Sequence, residues 1–453
     1  MQRNKKILNG AVVLGIGAFF SKLLGAIYRV PLTNIIGGQG LGLYQMVFPV
    51  YAVLLDFSGA GVPSALSKII SSNNQMEQIN SAENYLKSSI KLFALIGLLG
   101  TVIMVCLAKV FAFLQGNSNA FLGYVALAPA VFLVSVISCY RGYFQGLMMM
   151  TPTAVSQILE QIVKLFLGLT FAYLLRNSVS LAVAGATFAI SFSELIALGY
   201  LFIKHKKLRE RALLIHVFDK KNHKKRVKTI LKITIPITII GIMIPLSQVI
   251  DSFLIVNILK SYREDATTLY GLMSGVASTV VGLPVSVCYG ISMVAIPVVS
   301  ASKLEKEKNK NAFKVIALTF AVALPCALFC CFFSPFIINL LFSRLPPSEK
   351  QVSIILLKTL SPCVALLSLL QTTNAVLIGK GKFYKPVLSL GIGILVKIIV
   401  SLVLLKIPSI NIYGGAIGVI ACYFVATLIN LFMIINFKVK HESKTAYNRQ
   451  YAS

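Results

Sequence analysis

Two cations, Lys22 and Arg29, stand seven residues apart in the apolar stretch SKLLGAIYRVPL. Seven residues make two turns of an α-helix, so both side chains leave one face. A charge near the bilayer centre costs about 2.5–3.5 kcal/mol on insertion scales and normally faces a protein interior or a watery cavity. Arg29 lies close enough to an interface to snorkel, whereas Lys22, roughly 22 Å along the helix from Ile7, is too deep to do so easily. Arginine offers paired donors to phosphate oxygens and lysine a compact charge, so a phosphate-bearing ligand suits the pair. Other charges interrupt apolar runs at Asp56, Glu160, Lys164, Glu194, Asp251, Lys358 and Lys397. Glu160 precedes Lys164 by one turn, the order that favours an intrahelical ion pair. Asp56 and Asp251 are placed to balance Lys22 or Arg29. The candidate substrate-binding residues are therefore Lys22, Arg29, Lys164 and Lys397, and the candidates for ion coupling or charge balance are Asp56, Glu160, Glu194 and Asp251. The excess of basic residues suits an anionic ligand; a cationic drug would call for the opposite sign, and a neutral sugar for neither.

Such charges need elements that carry them through lipid. The chain has 453 residues, 57% hydrophobic and only 13% charged, with a mean hydropathy of +0.83. An ordinary soluble domain is about a quarter charged. Crossing a hydrocarbon core of about 30 Å takes about 20 apolar helical residues, and twelve such runs occur, from Ile7–Val30 and Leu41–Gly59 to Pro386–Leu405 and Ile412–Phe437. The predicted fold is an all-α integral membrane protein of about twelve transmembrane helices in two pseudo-symmetric six-helix lobes. The first run is too long for a signal h-region, holds Lys22 and lacks a small-x-small cleavage site, so it reads as a span. The span holding Asp251 also contains Pro236 and Pro245, which predict a bent, gating-type helix.

Net charge is +29, and Lys and Arg concentrate in alternate loops, which by the positive-inside rule predicts cytoplasmic termini. The stretch KHKKLRERALLIHVFDKKNHKKRVK could neutralise nucleic-acid phosphates. Its place between two spans is better explained by topology and contact with anionic lipid, and no nucleic-acid partner is expected. The predicted organisation is a first lobe over 1–203, a basic cytoplasmic linker over 204–228, a second lobe over 229–437 and a cytoplasmic tail over 438–453. All eight cysteines fall within spans, and Cys326 and Cys330, one turn apart, read as packing. The histidines, His205, His216, His223 and His441, lie in basic loops or the tail without zinc spacing, so neither a metal nor a cofactor is expected. GGQGLG at 37–42 reads as a turn, since no G-x-x-x-x-G-K-[ST] phosphate loop occurs.

The halves share residues. Gly146 precedes Pro152 and Lys164, and Gly379 precedes Pro386 and Lys397, with the same glycine-to-lysine distance. AGATF at 184–188 echoes GGAIG at 414–418, and GVPSALSK at 61–68 echoes AIPVVSAS at 295–302. An even number of spans per repeat makes the halves parallel, related by an axis along the membrane normal, an arrangement that encloses a central cavity and works by rocking.

The stretch SKLLGAIYRVPLTNIIGGQGLGLYQMVFPVYAVLLDFSGAGVPSALSKIIS resembles the N-terminal signature of the stage V sporulation protein B family, oligosaccharide and lipid II flippases of the multidrug/oligosaccharidyl-lipid/polysaccharide superfamily. The block YRGYFQGLMMMTPTAVSQILEQIVK is similar to the same family's entry into the fifth span. The resemblance implies two six-helix lobes in a V around a cationic cavity, which binds the headgroup of an undecaprenyl-pyrophosphate-linked saccharide and moves it outward by alternating access. It places Lys22 at a basic cavity position of the first helix and Arg29 one place from another. Many members carry fourteen spans, the extra pair forming a groove for the lipid tail, whereas this sequence has twelve. The implied setting is a bacterial cell membrane, with lipid-linked saccharide, membrane lipids and cell-envelope synthesis proteins as partners. No enzymatic activity is expected. The rival readings are a cation-coupled multidrug antiporter using Asp56 or Glu194, a membrane enzyme acting on lipid-linked sugar, and a non-transporting scaffold for cell-envelope or spore assembly. The enzyme would need positioned acids or histidines at a large polar loop, and the loops opposite the basic side are short.

Overall fold

The computed structural model describes residues 2–71, 78–211, 222–301, 305–382 and 384–450; within these, the side chains of 2–16, 18, 19, 22, 78–80, 211, 297, 301, 305, 306 and 436–450 fall outside the description. The described residues form helices and turns and no strand. In lipid a helix satisfies its own backbone hydrogen bonds, so long apolar runs resolve into helices. The chain divides into two compact units, Met1–Phe253 and Leu254–Ser453. The first holds α1 (Gln2–Leu55), α2 (Val62–Ser71), α3 (Gln78–Cys106), α4 (Ala108–Leu114), α5 (Phe121–Gly146), α6 (Met150–Leu174) and α7 (Val179–Arg211). Helix α8 (His223–Lys260) begins in the first unit and ends in the second. The second holds α9 (Ala266–Gly271), α10 (Ser278–Ala301), α11 (Glu305–Phe332), α12 (Ser334–Leu341), α13 (Pro347–Leu360), α14 (Pro362–Gly379), α15 (Tyr384–Leu404) and α16 (Tyr413–Gln450). The unit boundary lies inside α8; part of the expected linker, 212–221, and the tail end, 451–453, lie outside the described residues.

Eleven stretches of the described residues are long and apolar enough to cross a membrane. The sequence predicts twelve, and the difference lies in the first. There one stretch, Leu23–Ser71, covers two expected crossings, because α1 runs on past a break at Gly37 (φ 68°, ψ −177°). That positive φ is open to glycine and costly for most other residues. Each remaining stretch overlaps one expected span, and short breaks at Leu107, Phe333 and Ser361 divide three of the predicted runs. The chain is a multi-pass, all-α membrane protein.

In the first unit α5 packs on α2, α3 and α7, and α6 on α1 and α7. Small residues let backbones approach, the usual device for helices in lipid. A Cβ on Gly142 would lie 2.9 Å from Pro63 Cα, and one on Gly97 2.8 Å from Ser135 Cβ. Leu66, Leu86, Phe93, Ile137, Tyr143 and Phe144 close a core between these helices. In the second unit α14 packs on α10, α11 and α16, and α15 on α16. The repeated residues fall on matching helix pairs. Gly146 of α5 meets Ile70 of α2, while Gly379 of α14 meets Val299 of α10. Gly185 of α7 meets Phe171 of α6, while Gly418 of α16 meets Ser401 of α15. Large apolar side chains such as Phe166, Phe332 and Phe432 stand exposed on the outer faces, as lipid contact requires.

Candidate functional site

Helices α1, α5, α6 and α7 bring a charged cluster together inside the first unit. Arg141 of α5 donates from Nε to Ser156 Oγ and from Nη2 to Glu160 Oε2, each at 3.0 Å. The ion pair is sheltered, with the two side chains only 13% and 16% exposed. Ser156 is itself oriented by a 2.7 Å bond to the Thr153 carbonyl. Glu160 receives a further 2.9 Å bond on Oε1 from Gln161 Nε2. Glu194 of α7, 4% exposed, lies in electrostatic range of Glu160, Arg141 and Lys164, and its Oε2 is buried without a hydrogen-bond partner.

Lys164, one turn beyond Glu160 on α6, turns to α1, where its Nζ lies 5.7 Å from the centre of the Tyr28 ring. A cation over an aromatic face is attracted to the ring quadrupole. Tyr28 is fully buried and its hydroxyl has no hydrogen-bond partner. It is clamped by Gly168, where an added Cβ would come within 2.5 Å of that hydroxyl. Arg29, half-buried beside Tyr28, lies in electrostatic range of Lys164 and of the buried Tyr44. No ion pair of Arg29 occurs among the described residues. Tyr51, buried on α1, lies in electrostatic range of Glu194, Glu160 and Arg141. Three cations, Arg29, Arg141 and Lys164, stand against the two carboxyl groups of Glu160 and Glu194 and leave the cluster electropositive, and the Tyr28 hydroxyl supplies an unused donor. That combination can bind an anion bearing several oxygens.

The eight expected site residues are thus unequally gathered. Arg29, Lys164, Glu160 and Glu194 meet in this cluster. Lys22 lies on α1, but its side chain is outside the described residues. Asp56 starts a π-helical turn, Asp56–Ala60, and is half-buried against α8, where a Cβ on Gly241 would sit 3.4 Å from its Oδ2. Asp251, half-buried on α8, precedes Ser252, whose Oγ accepts a 2.8 Å bond from Gln115 Nε2. Lys397 belongs to the second unit, 5% exposed on α15, where Gly418 of α16 approaches its carbonyl. Two expectations change. Glu160 pairs across helices with Arg141, and Lys164 with an aromatic ring, in place of the intrahelical pair. Lys358 is exposed on α13. Arg141 is the residue that sequence reasoning missed; the apolar run from which this span is predicted, Ala120–Tyr140, ends one residue before it, whereas α5 continues to Gly146.

The sequence pattern of a family described as polysaccharide biosynthesis protein matches residues 7–303. The chain is 26% identical over 459 residues to the lipid II flippase MurJ of Bacillus subtilis (strain 168), covering 95% of this chain and 83% of that protein. It is 25% identical over 435 residues to stage V sporulation protein B of the same organism, covering 93% and 82%. Among solved structures it is similar to the inward-facing conformation of a multidrug resistance MATE family transporter of the MOP superfamily, with a TM-score of 0.76, 16% identity and coverage of 94% and 96%. It is also similar to the inward closed conformation of lipid II flippase MurJ, with a TM-score of 0.73, 15% identity and coverage of 93% and 87%. These structures support the fold, two pseudo-symmetric helical lobes.

Proposed function

The chain belongs to the polysaccharide biosynthesis protein family, and on that premise we propose that it is a flippase for an anionic undecaprenyl-pyrophosphate-linked saccharide. Its activity is transport and not catalysis. In this reading the headgroup enters from the cytoplasmic leaflet of a bacterial cell membrane, with both termini on that side, and leaves outward by alternating access of the two lobes. Arg29, Arg141 and Lys164 bind the pyrophosphate together with Lys22, and Lys397 serves from the second lobe. Glu160 and Glu194 hold the cations apart and balance their charge when the site is empty, while Asp56 and Asp251 balance charge on α1 and α8. Cell-envelope synthesis proteins would supply and receive the cargo. The observation that carries the reading is the electropositive cluster itself: Arg141 pairs with Glu160, Lys164 lies over the Tyr28 ring, and Arg29 adds a third cation against the two carboxyl groups.

The test is reconstitution with fluorescent undecaprenyl-pyrophosphate-linked saccharides, scoring headgroup exposure on the outer leaflet. Native protein is expected to translocate, and Lys22→Ala and Lys164→Ala to slow translocation roughly tenfold or more, the scale of one lost charge-assisted contact. Equal rates for all three would remove the cationic site from the mechanism. No translocation by any would favour the scaffold.

One observation favours a second reading, cation-coupled multidrug antiport. Glu194 is a buried acid whose Oε2 has no hydrogen-bond partner, the kind of carboxyl group a coupling ion or proton would use. Proton-driven efflux of a cationic dye that disappears in Glu194→Gln would establish it.

A further inference from the structure

A different cluster of charge occupies the opposite flank of α5. Glu83 of α3, fully buried, accepts a 2.9 Å hydrogen bond from Tyr143 Oη and faces His205 Nε2 at 2.7 Å. His205 of α7 packs edge-on against the rings of Tyr140 and Tyr143. Beside this trio opens a cavity of about 830 Å³ whose lining changes character along α3 and α7. Leu86, Ile90 and Phe202 form an apolar wall, and Lys87, Lys206 and Arg209 a basic one. Two buried atoms there lack hydrogen-bond partners, Arg209 Nε and Glu83 Oε2. Buried polar atoms are nearly always paired in native structures. A complement to both atoms offers an acceptor to the guanidinium and a donor to the carboxylate, as the phosphate and the glycerol hydroxyls of a phosphatidylglycerol headgroup do.

The hydrocarbon boundary narrows the ligand further. Along α7 the exposed residues are apolar through Phe202 and Ile203, each 54% exposed, and then cationic at Lys204, Lys206 and Lys207. The cavity straddles that change. A soluble anion has no need of the apolar wall, whereas a lipid needs both. Of the two acids lining the cavity, Glu83 is held at Oε1 by His205 and Tyr143 and has Arg209 in electrostatic range, and Glu210 pairs loosely with Lys206 at 4.0 Å. Lys87 and the unpartnered Nε of Arg209 are left to hold a phosphate. We propose that this cavity binds an anionic phospholipid of the leaflet facing the basic loops, its phosphate at Lys87, Lys206 and Arg209 and its first acyl carbons against Ile90 and Phe202. The site is separate from the charged cluster described above and does not depend on the identity of the cargo.

The chain has no tryptophan, so Phe202→Trp places a single tryptophan, excited selectively over the tyrosines, on the apolar wall. Purified full-length Phe202→Trp in nanodiscs is titrated with dibrominated phosphatidylglycerol and, separately, dibrominated phosphatidylcholine. Phosphatidylglycerol is expected to quench at a roughly tenfold lower mole fraction, the scale of one or two basic contacts to an anionic headgroup. In the same background Lys87→Gln/Lys206→Gln is expected to reduce that preference to about twofold or less. Lys206→Gln alone, at a side chain 70% exposed, keeps the test open if the double variant fails to fold; it is expected to reduce the preference severalfold. Glycerol phosphate in the aqueous phase is expected to leave quenching unchanged. Equal quenching by the two lipids, a preference that survives the substitutions, or displacement by glycerol phosphate would each overturn the proposal.

Discussion

Arg141 joins α5 to α6 through two side-chain hydrogen bonds, and its guanidinium is the counter-charge of Glu160. Removing one partner of a sheltered pair strands the other, a loss of about 3–5 kcal/mol. Arg141→Ala should therefore lower the thermal midpoint in detergent by several degrees. Arg141→Met/Glu160→Met should recover most of the loss, because no buried charge is left unpaired. A double variant no better than the single one would show that the two residues do not act as a pair. A second residue-scale expectation concerns the loop between α8 and α9. Arg263 holds Asp265 through bonds of 2.8 and 2.7 Å, and this hydrogen bonding keeps the Asp265 carboxyl below its ordinary value of 3.8. A depressed carboxylate contributes stability above its unfolded pKa and loses it as pH falls through the folded value. The contribution should fade below about pH 4, and Arg263→Gln should flatten that acid limb. Both side chains are over 40% exposed, so the effect is small, under about 1 kcal/mol; acid titration of the unfolding midpoint of both proteins measures it. At this scale the sequence showed which residues are charged within apolar runs. It did not show that α5 carries its helix one and a half turns past the hydropathy boundary, which is where Arg141 sits.

Helix contacts, more than helix composition, set the geometry of each unit. Gly142 lets α5 meet α2 so closely that an added Cβ would lie 2.8 Å from Leu66 Cβ and 2.9 Å from Pro63 Cα. Neither atom can swing away. Gly142→Ala should cost about 1–3 kcal/mol by overpacking. Gly199, inside α7, has nothing within 4 Å of the same position. Gly199→Ala should be neutral or up to about 1 kcal/mol stabilising through helix propensity. Thermal unfolding of the two variants in one detergent gives the comparison, and equal shifts would refute the packing argument. Span length was legible because hydrocarbon thickness sets it. The break at Gly37 was legible only as a glycine-rich segment, since a positive φ leaves no mark on hydropathy.

For the whole molecule, the proposed cargo makes the membrane potential a driving force. Each elementary charge crossing 100 mV is worth about 2.3 kcal/mol, so a dianionic headgroup leaving an inside-negative compartment gains about twice that. Imposing an inside-negative potassium diffusion potential on proteoliposomes should accelerate outward headgroup exposure, and reversing the potential should slow it. A rate indifferent to both would separate transport from headgroup charge. The glycine and lysine repeats made the duplication visible in the sequence. The structure adds that the repeated glycines sit on corresponding helix pairs, α2 with α5 and α10 with α14.

By itself the sequence determined that the chain is helical, crosses lipid many times and carries more positive than negative charge. Hydrocarbon thickness and the cost of bare backbone in lipid act on each segment separately, so those properties follow from local composition. Only the tertiary structure decided which charges meet. Arg141 finds Glu160 across 19 residues of chain, Glu194 comes into electrostatic range of Glu160 from another helix, and Lys164 lies over the ring of Tyr28 on α1. Those partnerships depend on how α1, α5, α6 and α7 are rotated against one another, and that rotation is set by the fit of glycines and bulky side chains between helices, which no periodicity along a single segment records.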